Sequence, residues 1–222
     1  MRITGGTYRS RPLRAPKGDR TRPTSDRVRE GLFSMLIALM GTVGAVDEDG
    51  DEGDVDEDPD EDVNEAGALS LGSLAGARVL DLYAGTGALG LEAVSRGAVH
   101  ATFVEQGREA LVALRANIAE LGVTDRTRLL PISVERASRA LIRAPIEECF
   151  TLIFADPPYK LIHGGEFLRT FASIAQSSAL APGGIAVVEH ASADAAPVLN
   201  DLNRLTSRRY GDTTVSLYRS RI

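Results

Sequence analysis

The chain has one cysteine, Cys149, among 222 residues, so no disulfide can form within it. That fits a reducing compartment, and a thiol at the edge of an apolar run is expected to be structural and buried. Long apolar runs are missing too. The longest, Met35 to Val46, is broken by Gly41, Thr42 and Gly44, well short of the ~20 residues that span a bilayer. No apolar stretch follows the basic N-terminus as it would in a secretory signal. A soluble cytoplasmic protein is expected, with neither a membrane nor a metal taking part. Bases are absent from residues 47–65, which hold thirteen Asp and Glu. Like charges at that density repel one another and bury no apolar surface, so no fixed structure is expected there.

This segment conceals the charge of the remainder. The whole chain carries a formal net charge of −6, yet without 47–65 it has 25 bases against 18 acids, a net of +7. Residues 1–30 alone hold nine bases (Arg2, Arg9, Arg11, Arg14, Lys17, Arg20, Arg22, Arg27, Arg29) against Asp19, Asp26 and Glu30. A basic arm on a basic domain is the footprint of a polyanionic ligand, whereas a solvated tail is the plainer reading. The acidic segment is either an inert solubilising loop or a competitor with the polyanion for the arm.

Three regions are expected: a basic arm and first helix over 1–40, an acidic insertion over 41–68, and an α/β domain over 69–222. Within the arm, Arg2-Ile3-Thr4 and Arg11-Pro12-Leu13 flank Gly5-Gly6 and allow a short hairpin. Thr24 to Met40 reads as a helix, capped by Thr24, Ser25 or Asp26, with Val28, Leu32, Met35, Leu36 and Leu39 as its apolar stripe. From Leu74 the pattern alternates. Strands are predicted at Ala77–Leu82, Ala101–Glu105, Thr127–Ile132, Phe150–Ala155 and Gly184–Glu189. Helices are predicted at Ala88–Arg96, Arg108–Leu121, Val134–Arg143 and Glu166–Ser178. Short apolar strands alternating with helices imply a parallel sheet covered on both faces. Two β-prone runs around Gly211-Asp212 add a closing hairpin. The expected fold is α/β: a doubly wound, mostly parallel, Rossmann-like sheet of seven strands ending in an antiparallel hairpin, as in class I methyltransferases.

Gly85-Thr86-Gly87-Ala88-Leu89-Gly90 matches G-x-G-x-x-G, and Glu105 stands about 20 residues on, at a strand end. That spacing suits a dinucleotide or S-adenosylmethionine, since both need a bare backbone at the first strand-to-helix turn. Asp81, four residues before Gly85, separates them. A carboxylate there would repel a pyrophosphate but attract the ammonium and sulfonium of S-adenosylmethionine. Glu105 is then the acceptor for both ribose hydroxyls. The adenine is expected beside Ser133 and Val134, after the third strand. The plainer roles for these acids are a helix cap and a solvated strand end.

Asp156-Pro157-Pro158-Tyr159 follows the strand Phe150–Ala155, about 70 residues beyond the glycine turn. An exocyclic base amine is a poor nucleophile because its lone pair is delocalised into the ring. Acceptors on its N–H groups restore tetrahedral character, and the Asp156 carboxylate and Pro157 carbonyl can supply them. The prolines stiffen the loop, Tyr159 can stack on the base, and Asp156 can take the departing proton.

The sequence also resembles a family: the bacterial small-subunit rRNA guanine-N2 methyltransferases, which modify guanine 966 of 16S rRNA. The resemblance rests on Arg2-Ile3-Thr4-Gly5-Gly6-Thr7-Tyr8-Arg9, Arg22-Pro23-Thr24-Ser25-Asp26-Arg27-Val28-Arg29-Glu30-Gly31-Leu32-Phe33, the motif Asp81 to Ala93, Asp156-Pro157-Pro158-Tyr159 and Tyr210-Gly211-Asp212-Thr213. It implies S-adenosyl-L-methionine as cofactor and 16S rRNA, within the small ribosomal subunit or its assembly intermediate, as partner. It places Arg22, Pro23 and Thr24 beside the cofactor and base, and Arg27 and Arg29 towards RNA phosphates. Cofactor contacts are thus expected from Asp81, Tyr83, Gly85, Gly87, Glu105, Ser133, Val134, Asp156, Arg22 and Thr24. Other readings are a DNA adenine or cytosine amino-methyltransferase, a protein glutamine methyltransferase, and a non-catalytic RNA-binding assembly factor. A nicotinamide dehydrogenase fits only the glycines.

Overall fold

The structure is a computed structural model; it describes residues 1–16, 25–41, 73–143, 148–158, 161–162 and 165–221. Arg22, Pro23, Thr24, Tyr159 and the acidic segment lie outside the described residues.

Seven strands form one sheet: β1 (Arg78–Leu82), β2 (His100–Val104), β3 (Thr127–Leu130), β4 (Phe150–Ala155), β5 (Leu180–Ala191), β6 (Leu202–Tyr210) and β7 (Thr213–Ser220). Their order is β3-β2-β1-β4-β5-β7-β6. β1 to β5 pair in parallel, and β7 runs antiparallel between β5 and β6. The doubly wound sheet with its closing hairpin is therefore present. The predicted strands hold to within one or two residues except β5, which starts four residues earlier. Of its extra residues, Leu180 pairs with Phe150 ahead of an irregularity in the β4 ladder.

The strands' period of two sorts the core into two layers. Val79, Phe103, Leu152, Phe154 and Val187 face the side covered by α1 (Asp26–Gly41), α2 (Ala88–Ser95) and α3 (Arg108–Leu121). Leu80, Val104, Ile153, Ala186 and Val188 face α4 (Val134–Leu141) and α5 (Glu166–Ala175). Both layers bury aromatic rings: Phe33 of α1 lies 5.7 Å from Phe154, and Phe167 stacks on Phe171 at 5.3 Å. Ser25 starts α1, its hydroxyl accepting the Val28 N–H at 3.3 Å. Val28, Leu32 and Leu36 are buried as the stripe predicts, with Phe33 beside them.

The described part of the arm is docked rather than tail-like. Arg2 and Pro12 form an antiparallel bridge, and Ile3 and Leu13 enter the core. The anchor is Glu92 on α2, itself fully buried. Its carboxylate accepts from Thr4 N (2.7 Å), Thr4 Oγ1 (2.7 Å), Gly5 N (2.8 Å) and Arg96 Nε (2.9 Å). Arg29 completes the cluster from α1, fully buried and paired with Glu92 and Asp26. The expectation that Arg29 faces RNA phosphates is thereby corrected. Its guanidinium neutralises a buried acid, because a charge removed from water must be paired. Arg27 is exposed on the same helix.

Candidate active site

β1 and β4 are neighbours that continue to opposite sides of the sheet, β1 next to β2 and β4 next to β5. At such a switch point the loops after the two strands part and leave a crevice where open α/β sheets bind ligands. Leu82 pairs with Ala155, so Tyr83 and Asp156 leave the sheet side by side. The register thus brings the glycine turn and the Asp-Pro-Pro turn together. Asp156 is half-buried, Pro157 buried and Pro158 exposed. The Pro158 carbonyl accepts from Leu161 N at 2.8 Å.

The three glycines have different tasks. Gly85, at φ +56°, has among the described residues only one atom within 4 Å of a would-be Cβ, the Tyr83 carbonyl at 3.9 Å. A side chain on Gly87 would press into Leu114, and one on Gly90 into the Phe103 ring. Gly87 and Gly90 therefore let α2 close on β2 and α3, while Gly85 leaves its backbone bare towards the crevice.

Asp81 is buried at the end of β1, and its Oδ2 accepts the Gly90 N–H at 2.9 Å. It thus satisfies an N–H in the first turn of α2, whose N-cap residue Gly87 has no side chain to do so. Burial pushes its carboxyl up to about 7, opposed by the Gly90 hydrogen bond and assisted by the charge of Glu105. A cation placed here would relieve both the desolvation and the repulsion. A pyrophosphate would worsen them.

Glu105 clamps two loops. Oε2 accepts from Gly85 N at 2.7 Å; Oε1 accepts from Gln106 N at 2.8 Å and Gly107 N at 2.6 Å. A ligand that takes this carboxylate with its hydroxyls must share or displace those N–H groups. Ser133 caps α4, its Oγ accepting from Arg136 N at 3.3 Å, which leaves the hydroxyl proton to donate elsewhere. The Val134 side chain is buried in the core, so its backbone is what the turn offers. Tyr83 takes φ +59°, and its ring lies 6.1 Å from Phe167. Its hydroxyl is buried with no hydrogen-bond partner among the described residues. Burial, with Glu135 and Glu166 nearby, pushes its ionisation up.

Asp81, Tyr83, Gly85, Gly87, Glu105 and Asp156 are thus brought to one end of neighbouring strands, with Ser133 and Val134 following β3 on the same edge. Sequence reasoning missed Glu92 and Asn117. Asn117 is buried on α3, donates to Thr86 O (2.9 Å) and Arg14 O (3.1 Å), and accepts from Arg14 N (2.7 Å). It ties the glycine loop to the arm. The visible signal for both was a polar residue inside an apolar stripe: Glu92 among Leu89, Leu91 and Ala93, Asn117 among Leu114, Ile118 and Leu121.

This strand order, with a glycine turn after β1, an acid after β2 and Asp-Pro-Pro after β4, defines a Rossmann-like methyltransferase fold. The chain belongs to the family described as Conserved hypothetical protein 95, whose model matches residues 1–48 and 64–219 and skips only the middle of the acidic segment. It is 31% identical over 222 residues, all of both chains, to YlbH of Bacillus subtilis (strain 168), named as a candidate rRNA methyltransferase. It is 31% identical over 160 residues to ribosomal RNA small subunit methyltransferase D of Escherichia coli (strain K12), covering 72% of this chain and 61% of that protein. Among solved structures it resembles yhhF of Escherichia coli, described as a candidate methyltransferase. The TM-score is 0.70 at 27% identity, over 100% of this chain and 98% of that one.

Proposed function

We propose that this protein is an S-adenosylmethionine-dependent methyltransferase that modifies the N2 amine of a guanine in 16S rRNA, within the small ribosomal subunit or its assembly intermediate. The observation that carries this reading is the register of β1 on β4, which sets Asp156 beside the turn leading to Gly85. The names of the relatives favour rRNA as substrate. No helix among the described residues is long and apolar enough to cross a membrane, in keeping with a cytoplasmic substrate.

The site suits a cofactor with a cationic amino-acid end and a ribose. Asp81 would accept from the ammonium, the bare Gly85 backbone would lie along the chain, and Glu105 would take the ribose hydroxyls. Ser133, the Val134 backbone and Tyr83 would border the adenine; Gly87 would shape the turn, and the family resemblance puts Arg22 and Thr24 beside the cofactor and base. When bound, this cofactor supplies an electrophilic methyl group. The protein's own part is to prepare the amine. Asp156 and the Pro157 carbonyl accept its N–H groups, the stiff Pro157-Pro158 turn holds them in line, and Tyr159 stacks on the base. Asp156 takes the proton as the nitrogen is alkylated. Positioning and electrostatics carry most of the rate in such a scheme.

The test is methyl transfer from labelled S-adenosylmethionine to unmodified 30S particles, free 16S rRNA and DNA, with nucleoside analysis of the product. N2-methylguanosine from 30S particles is expected. Transfer to DNA alone would reassign the protein to the DNA amino-methyltransferases. No transfer to any substrate, with cofactor bound, would make it a binding factor.

A further inference from the structure

The crevice between β1 and β4 leaves the far edge of the sheet without a role. β6 is that edge, with β7 as its only strand neighbour among the described residues. It carries Arg204, Arg208 and Arg209 and no acid, and Asn203 to Leu205 and Ser207 to Arg209 are exposed. These three cations belong to a part of the chain that, without 47–65, has a net charge of +7. Beside it opens a cleft of about 480 Å³ lined by His190, Asp194, Arg204, Thr206, Ser207 and Thr214. Its polar wall is ordered by hydrogen bonds. His190, 1% exposed, has Nε2 2.9 Å from Ser216 Oγ, which lies 2.8 Å from Ser207 Oγ.

The place of this edge relative to the chemistry follows from the ladder. Ala155 pairs with Val188, so His190 lies level with Pro157 of the catalytic turn. β4 and β6 are three strand spacings apart, roughly 14 Å. A strand of RNA entering the crevice reaches that far within a few nucleotides.

We propose that β6 and its cleft are a second contact for the RNA backbone. Arg204 and Arg209, on the cleft's face of the strand, and Arg208, on the opposite face, take phosphates of a strand that follows this edge, and the hydroxyl-lined cleft takes a ribose. The chemistry selects these groups. Guanidinium groups on an exposed strand pair with phosphate. Asp194 makes the cleft unfavourable for a phosphate but not for a neutral sugar. Hydroxyl and carboxylate groups recognise a 2′-hydroxyl, which DNA lacks, while the buried His190 only orients the hydroxyls through Ser216. The inference rests on the RNA substrate proposed above. The competing role for arginine on an edge strand is to block pairing with another sheet.

Direct binding separates these cases without requiring methyl transfer. A labelled single-stranded RNA oligonucleotide and DNA of the same sequence are titrated with the full-length wild type, the triple variant R204Q/R208Q/R209Q and Ser207→Ala. Circular dichroism melting confirms that each variant is folded. The triple variant is expected to bind RNA roughly ten- to a hundredfold more weakly at about 0.1 M salt, with the salt slope reduced by about 2, from three lost phosphate contacts. Ser207→Ala is expected to narrow the preference for RNA over DNA. Unchanged RNA affinity and slope in a folded triple variant overturn the arginine contacts, and self-association in their place assigns the strand to edge protection. An unchanged RNA preference in Ser207→Ala overturns the cleft. A wild type that methylates 30S particles while the triple variant binds RNA equally well refutes this surface and leaves the proposed function standing.

Discussion

Arg29 and Glu92 are both fully buried and face each other, Nη1 to Oε2, across 3.5 Å, although 63 residues separate them in the chain. Glu92 also holds the N-terminal hairpin through Thr4 and Gly5, so one carboxylate joins the arm, α1 and α2. Removing one member strands the charge of the other in a medium that solvates it poorly. Arg29→Met and Glu92→Gln are each expected to destabilise the protein by about 3 kcal/mol in urea unfolding. The double variant should lose less than the sum of the two, and additive losses would show that the pair is not coupled.

Asp156→Ala is expected to lower methyl transfer by about 10²–10⁴-fold, the range ascribed to a positioned proton acceptor, while cofactor affinity changes little. Calorimetric titration with S-adenosylhomocysteine beside a single-turnover assay tests this. Parallel loss of binding and turnover would place Asp156 in the cofactor site instead.

Asp81 has a pH signature. Its folded value, about 7, lies above the ordinary 3.8. The folded state therefore holds the proton more tightly than the unfolded chain. The resulting stability is fully present below about pH 4 and is lost as pH rises towards 7. Asp81→Asn keeps an oxygen for the Gly90 N–H and has no charge to bury. It should be more stable than the wild type at pH 8, by roughly 1–3 kcal/mol, and lose that advantage at pH 4. A cationic cofactor should bind the wild type more tightly as pH rises through 7, and Asp81→Asn should show a flat profile. A wild-type affinity independent of pH would argue against contact between Asp81 and a cation.

The glycines separate stability from binding. Gly90→Ala drives a methyl group into Phe103 and should cost about 1–3 kcal/mol by overpacking. Gly85→Ala meets no described atom closer than 3.9 Å and pays only for its positive φ, about 1 kcal/mol, yet should weaken cofactor binding more than tenfold. Thermal melts with and without cofactor distinguish the two. Equal melting losses would mean that Gly85 also serves packing.

Deleting residues 47–65 removes thirteen acids and no base. The fold should persist, and nucleic-acid affinity at low salt should rise, with the gain vanishing as salt screens the charge. Unchanged affinity at low salt would make the segment a bystander.

Much of the fold was legible because its signals are local. Apolar strands of period two and helices of period 3.6 mark their own positions, and α3 and β4 were read to the residue. The motif residues stood out because glycine turns and proline pairs are local devices as well. What each charged residue does was not local. The family resemblance placed Arg29 towards RNA phosphates, whereas the buried acid that neutralises it comes from another helix. Glu105 read as a ribose acceptor, yet it also holds the Gly85 N–H. That partner depends on how the loops after β1 and β2 approach each other.

The sequence by itself determined the α/β alternation, the closing hairpin, the positions of Asp81, Glu105 and Asp156 at strand ends, and the acidity of 47–65. Each of these follows from residue type and short-range periodicity. Only the tertiary structure decided that β1 and β4 are neighbours and that Leu82 pairs with Ala155. It also decided which arginine is buried and which strands form the two edges of the sheet. Those are choices among distant partners. Burying apolar surface and pairing every buried charge select one arrangement of the whole chain, which no short window of it contains.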